Sequence, residues 1–401
     1  MLAAALKRRL LNNTTFITIT GSVGKTTTTQ LLGTILSRRH SVRIGGHRNT
    51  PPDVLKTVCS TSRSNEFAVM EVSGGDPGDI ERSRDIVRAK ASVITAIGLD
   101  HYTNFRAREA VAAEKGKLIE NLPRDGFAIL NGDDPHVRAL STSTCAQVVY
   151  FGQSEDCDVR ATSIICGWPD RLAFTLCYQG KTWPVQSRMM DEMWILSILA
   201  SIAAALAVGA DIDDCIEAVE EFEPVFGRMS PHTSADGVNF LLDTKKASNW
   251  TMPFVIDYIT KSKAPKKTVV IGNISDTPGS SSGQVRKWTR KCLQVADRVV
   301  GVGAQAAAIE KVMTSDYDGR LFRFETVKET DEFLRQTSTP GELIFAKSSS
   351  RLHLERIWLS RNDELKCWLE PCPVRCPCFE CRWYSTPAPP QPAGRLVRAL
   401  R

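Results

Sequence analysis

The stretch FITITGSVGKTTTTQLL, residues 16–32, limits the fold more than any other part of the chain. A β-branched run ends in a glycine turn, and a helix-forming stretch follows at once. Gly21, Ser22, Val23, Gly24, Lys25, Thr26 and Thr27 stand at the junction. Glycines let successive backbone N–H groups turn toward one anion, and a helix start adds its dipole. Lys25 supplies a cation for terminal phosphates, and Thr26 a hydroxyl within reach of a magnesium ion. The eight-residue form of such loops has another glycine five places before Gly24, where this chain has Ile19. The loop is therefore the short GxxGKT type, and it predicts nucleotide binding on a strand–turn–helix unit.

The strand pattern extends this unit into an α/β fold. FAVMEV (67–72), SVITAIG (92–98), FAILNG (127–132) and VVYFG (148–152) read as strands of a parallel sheet buried on both faces. Residues 105–121 carry apolar positions at helical spacing. VRATSII, LAFTLCY and KTWPVQS read as a small antiparallel insertion, and 191–208 and 213–222 as helices. EPVFGRMSP reads as a joint. A second series follows it: NFLLDT, TVVIGN, RVVGVG, LFRFE and LIFAK. The expected architecture is a phosphate-loop domain with a mostly parallel sheet (1–226), a second Rossmann-like α/β domain (227–358), and a Cys- and Pro-rich tail (359–401).

The 401 residues are 42% hydrophobic and 24% charged, a globular composition. The longest apolar run, Trp194 to Val208, is too short to span a membrane and carries Ser197 and Ser201. The leading MLAAALKRRLLNN has its charges after its apolar residues, so a short helix is expected there rather than an export signal. A cytoplasmic place is the expectation. The net charge of +6 is uneven, with no Asp or Glu before Asp53. That positive field suits a phosphate site; no aromatic-rich basic stripe points to nucleic acid. Seven of the twelve cysteines are scattered, and five crowd positions 367, 372, 376, 378 and 381. No disulfide framework is expected. Cys372, Cys376, Cys378 and Cys381 offer four thiolates to zinc, but their spacing is tighter than that of a standard ribbon. A tail of reactive thiols is the other reading.

The short loop followed by TTT resembles the Mur ligase family, ATP-dependent enzymes that join a carboxylate to an amine. Further landmarks occur in family order over residues 14–358, closest to the branch that adds D-alanyl-D-alanine. FAVMEVSGG ends a strand with Glu71 at the place of a magnesium-holding glutamate, and ITAIGLDHYTNF puts His101 at that of a metal-ligating histidine. Lys115 lies fourteen residues after His101, where the resemblance implies a carbamylated lysine able to hold a second magnesium. FAILNGDDPHV matches a nucleotide-side turn; Asn131 and Asp134 are weaker candidates, because such residues also make ordinary turns. Arg228 in FGRM would reach the phosphates, Asp243 the ribose and Lys245 the transferred phosphate. Lys347, Ser349 and Arg351 match the last strand-turn of the second domain.

The resemblance implies a reaction. A carboxylate would take the γ-phosphoryl group of ATP, aided by Lys25, Arg228 and two magnesium ions, and an amine would displace the phosphate. One ion would sit with Thr26 and Glu71, the other with His101 and Lys115. The second domain, swinging near Gly227, would close the site. The partners implied are a small-molecule or peptide carboxylate and an amino acid or amine. Two departures stand out. About a dozen residues precede the first strand, so a UDP-sugar-binding domain ahead of the loop is not expected in this chain. And MMDEMWILS stands where a His-Asn motif usually frames adenine, so Met193, Trp194 and Ser197 occupy those places. A catalytically silent nucleotide-binding protein on this scaffold and a phosphate-loop kinase are the competing readings.

Overall fold

A computed structural model describes residues 7–45, 49–99, 104–362, 365–374 and 376–386. The chain divides into two compact units: residues up to Cys166 with Asp170–Glu223, and Gly167–Pro169 with the chain from Pro224 on.

The first unit is built on β1 (Thr15–Thr20), β2 (Val42–Ile44), β3 (Phe67–Glu71), β4 (Ala91–Ile94), β5 (Phe127–Asn131), β6 (Gln147–Gly152), β7 (Val159–Gly167), β8 (Asp170–Tyr178) and β9 (Lys181–Gln186). They form one sheet in the order β2-β3-β1-β4-β5-β6-β7-β8-β9. β1 is central and parallel to both neighbours, with Ile19 opposite Glu71 and Thr20 opposite Ile94. The helices are α1 (Lys25–Ser37), α2 (Pro51–Ser60), α3 (Asp79–Val87), α4 (Arg108–Gly116), α5 (Pro135–Ala139), α6 (Ile195–Ala207) and α7 (Ile212–Glu221). Phe16, Val54, Val58, Met70, Ile80 and Leu118 belong to one core cluster and Ile94, Val111, Ile119 and Leu130 to another. Each fully buried branched side chain contributes about 1.5–3 kcal/mol.

The insertion read as antiparallel has that pairing between β8 and β9, and it joins the main sheet through β7, which runs parallel to β6 at Phe151 and Gly152. Its alternating burial gives it one covered face and one open face, a pattern that a sheet edge accepts as readily as a separate hairpin.

The second unit carries β10 (Ser230–Thr233), β11 (Asn239–Asp243), β12 (Lys267–Ile271), β13 (Arg298–Val302), β14 (Leu321–Phe324) and β15 (Leu343–Lys347), in the order β10-β11-β15-β12-β13-β14. All but the edge strand β10 are parallel. Its helices are α8 (Met252–Lys261), α9 (Ser281–Val295), α10 (Val327–Thr337) and α11 (Arg356–Asn362). The core is Phe240, Leu242, Val270, Val300, Ile344 and their neighbours. Both α/β halves are thus as the sequence predicts. The end of the presumed joint, Ser230 and Pro231, already belongs to β10. The described residues beyond 365 pack within this unit, Leu365, Cys367 and Cys378 being buried. Among the described residues no helix is long and apolar enough to cross a membrane.

An ion pair lies inside this unit. Glu342 meets Arg298 at 2.5 Å and Lys266 at 3.2 Å, and Thr268 donates to it. Glu342→Ala would leave the Arg298 guanidinium buried without its carboxylate. We expect a loss of about 3–5 kcal/mol in urea unfolding. Replacing both partners by leucine and methionine should cost less.

His232 on β10 packs against Trp358 and Phe226, and burial pushes its imidazole down to about 4. The folded state then refuses a proton that the unfolded chain takes near 6.5. Stability is therefore expected to fall as pH drops below 6.5, the loss levelling off below about 4. His232→Phe should flatten that part of the profile in urea midpoints at pH 7.5 and 5.

Candidate functional site

The phosphate loop is held open by backbone geometry. Gly21 and Gly24 have φ of +146° and +81°, a region that favours glycine. Gly24 caps α1 without any side-chain hydrogen bond, and no acidic residue lies in the first turn. The leading N–H groups of a helix have no partner within it, so they are offered to an anion. The loop is braced from the neighbouring strand end. Ser22 N–H donates to Ala96 O at 2.8 Å, Gly98 N–H to Ser22 Oγ at 2.9 Å, and Thr95 Oγ1 to Val23 O at 2.6 Å. From α6, Ser197 donates to Gly24 O and Ser201 to Thr28 O. Thr27 is buried beneath the loop. The Lys25 ammonium lies over it, donating to Gly21 O at 2.6 Å.

A methyl group at Gly21 would sit 1.9 Å from Thr95 Oγ1. Gly21→Ala is therefore expected to displace Thr95 from the loop, destabilise the chain by about 1–3 kcal/mol, and weaken nucleotide binding, which calorimetry with ADP would measure.

Thr26 and Glu71, 45 residues apart, meet beside the loop: Thr26 Oγ1 donates to Glu71 Oε2 at 2.8 Å. Asn49 Nδ2 donates to the other oxygen at 2.6 Å. Glu71 closes β3, is 5% exposed, and so offers its carboxylate in a fixed direction. A hydroxyl and a carboxylate are the hard oxygen donors that magnesium selects, so these residues fit that ion. The sequence reading did not find Asn49, because no local pattern marks an asparagine in a loop as the partner of a strand-end carboxylate.

Lys115 sits in the last turn of α4 and is only 2% exposed. It differs from Lys117, which reaches Glu114 at 2.8 Å and stays partly in solvent. Glu114 in turn accepts from Gly78 and Ile80 N–H at the start of α3, fixing the helix that carries Lys115. A lysine buried to this degree is rare outside a functional or paired setting. His101, the other expected metal ligand, lies outside the described residues.

Asn131 and Asp134 serve the backbone. Asn131 Nδ2 donates to Thr95 O at 2.8 Å, and its oxygen accepts from Asp133 N–H. Asp134 caps α5 and accepts from Ile97 N–H at 2.7 Å. Both hold the strand end that braces the loop. Trp194 is buried, and Ser197 is engaged with the loop helix.

In the second unit Asp243 and Lys347 end adjacent strands in register and form a buried ion pair. Thr244 and Lys245 N–H both donate to Gly227 O, at 3.1 and 3.2 Å. Burial draws the Lys245 amine below its ordinary value, and Arg228 adds to this against the pull of Glu355. Arg228 and Lys245 are both half-buried, and Glu355 and Glu380 face Lys245. Ser349 N–H is taken by Asn273 O, and Arg351 is exposed.

A model of the family described as the Mur ligase middle domain matches residues 19–205. The UDP-N-acetylmuramoyl-tripeptide–D-alanyl-D-alanine ligase of Mycobacterium leprae is 30% identical over 379 residues, covering 85% of this chain and 72% of that protein. The like-named protein of Mycobacterium bovis is 29% identical over 250 residues, 62% of this chain. The chain spans about half the length of that relative, 49%. Among solved structures, MurF from Acinetobacter baumannii superposes with a TM-score of 0.79 at 26% identity, covering 89% of this chain and 78% of that one. MurF ligase from Thermotoga maritima, solved with ADP, shares the fold with a TM-score of 0.78 at 21% identity, covering 89% of this chain and 82% of its own.

Proposed function

The chain belongs to the Mur ligase family, and from that premise we propose that it joins a carboxylic acid to an amine at the expense of ATP, through an acyl phosphate. The observation that carries the reading is the Thr26–Glu71 contact at the mouth of the phosphate loop.

In this reading the loop N–H groups and Lys25 grip the terminal phosphates. Thr26 and Glu71 would hold one magnesium ion, and His101 with carbamylated Lys115 a second; such ions would neutralise phosphate charge. The carboxylate oxygen attacks the γ-phosphorus and ADP leaves. The amine nitrogen then attacks the acyl carbon, phosphate departs, and the nitrogen loses its proton. Carbamylation turns Lys115 from a cation that repels a metal into an anion that holds one. The burial of Lys115 supports this over a solvated lysine. Asn131 and Asp134 act by keeping the loop brace in place. In the second unit Arg228 and Lys245 offer positive charge to phosphates, and Asp243 a carboxylate to the ribose. A cytoplasmic place, where ATP is abundant, belongs to the same proposal.

The relatives' names suggest D-alanyl-D-alanine as the first amine to try. The test supplies ATP, pooled carboxylic acids and pooled amines including that dipeptide. ADP and phosphate should appear only when acid and amine are both present, with a product lighter than their sum by one water. Phosphorylation of a small molecule without amide formation, or no turnover of nucleotide, would overturn the reading.

A further inference from the structure

We infer that His353, Cys372, Cys378 and one thiolate of the Cys376–Cys381 pair hold a single zinc ion that fastens the carboxy-terminal segment to the second unit. The inference is independent of the ligase reading. Its basis is a gathering of donors that the sequence alone does not display, since His353 lies 19 residues before the first of these cysteines.

Cys378 Sγ lies 3.4 Å from His353 Nδ1. Cys372, Cys376 and Cys381 line the same small cavity as His353 and Cys378. Glu355 Oε1 stands 3.2 Å from the same Nδ1, and the donor atoms of His353, Glu355 and Cys378 all lie within 4.8 Å of one another. His353 and all four cysteines line one cavity of about 10 Å³, room for a single small occupant.

The surroundings are those of a metal ligand. His353 Nε2 lies 2.9 Å from Val374 O, and donation to that carbonyl leaves Nδ1 as the nitrogen facing the thiols. Metal-bound histidines are oriented in this way. The backbone of His353 takes φ +51° where it ends the short turn Ser350–Leu352. Arg356, 1% exposed, donates from Nε to Cys378 Sγ at 3.2 Å. Zinc with three thiolates carries one negative charge, which the Arg356 guanidinium balances.

The segment also needs a fastening. Among its described residues the one regular element is a turn at Cys378–Glu380, yet Cys367 and Cys378 are buried. Its other ties are Trp368 against the core of the second unit, Phe379 edge-on against Phe226, and hydrogen bonds such as Arg356 to Leu369 O and Val327 N–H to Glu370. One nitrogen with three sulfurs is a structural zinc set.

The full chain, purified in metal-free buffer, is expected to carry one zinc per molecule by elemental analysis. Titration with an organomercurial should release that zinc as thiols are consumed. Cobalt exchanged for the zinc should give a thiolate charge-transfer band. Cys378→Ser and His353→Ala should lose the band, while Cys59→Ser, at an exposed cysteine outside the cluster, keeps it. Should the variants fail to fold, the mercurial titration of the unaltered chain decides. A zinc-free chain that takes up no cobalt, or a disulfide between Cys376 and Cys381 in the native chain, would overturn the inference.

Discussion

Lys25→Ala is expected to lower nucleotide-dependent turnover about 1,000-fold while leaving the fold intact. Lys25 is the only cation in the loop sequence GSVGKTT, and its ammonium already lies over the loop at Gly21 O. A unit charge 4 Å from a phosphate oxygen is worth about 4 kcal/mol at an effective dielectric of about 20. At about 1.4 kcal/mol per decade, that is close to three decades in rate. The structural loss includes the hydrogen bond to Gly21 O, about 1 kcal/mol. Steady-state ADP release and a urea titration, run on the same preparation, separate the two. Turnover within threefold of the parent would remove the loop from the chemistry.

The second large effect is at Lys115. Lys115→Ala is expected to cost about 100- to 1,000-fold in amide formation, the scale of losing one charged group that steadies the transferring phosphoryl. Unlike Lys25, Lys115 is buried, so some stability will go with it. Chemical rescue distinguishes the roles. If a carbamate is the working group, acetate or a similar small carboxylate should restore part of the turnover in Lys115→Ala. The parent, in turn, should slow when bicarbonate and carbon dioxide are stripped from the buffer. A variant as active as the parent would take Lys115 out of the mechanism. A slow variant that no carboxylate rescues would make the side chain a packing element of α4.

What the sequence could and could not disclose follows from the range of each interaction. The strand, the glycine turn and Lys25 are neighbours in the chain, and their chemistry is local, so the loop was legible without a fold. The alternation of buried strands and helices marked both α/β halves for the same reason. β2 escaped notice because Val42–Ile44 is three residues long, and β10 because Pro231 reads as a loop residue; an edge strand tolerates proline. The Thr26–Glu71 contact spans 45 residues and was reachable only through the ordered resemblance. Asn49, which completes it, carries no such mark. The carboxy-terminal cysteines were visible as a cluster, but their partner is His353 and their buried cation is Arg356, and neither is signalled by cysteine spacing. Asn131, whose family position suggests nucleotide contact, also donates to Thr95 O and accepts from Asp133 N–H, contacts that no local pattern marks.

The fate of a carboxylate oxygen tests the central claim most directly. Acids labelled with heavy oxygen in the carboxyl group are supplied with ATP and amine, and the released phosphate is weighed. Attack of the carboxylate on the γ-phosphorus predicts one labelled oxygen in each phosphate formed, with ADP as the nucleotide product. Amide formation that yields unlabelled phosphate, or AMP in place of ADP, would contradict it.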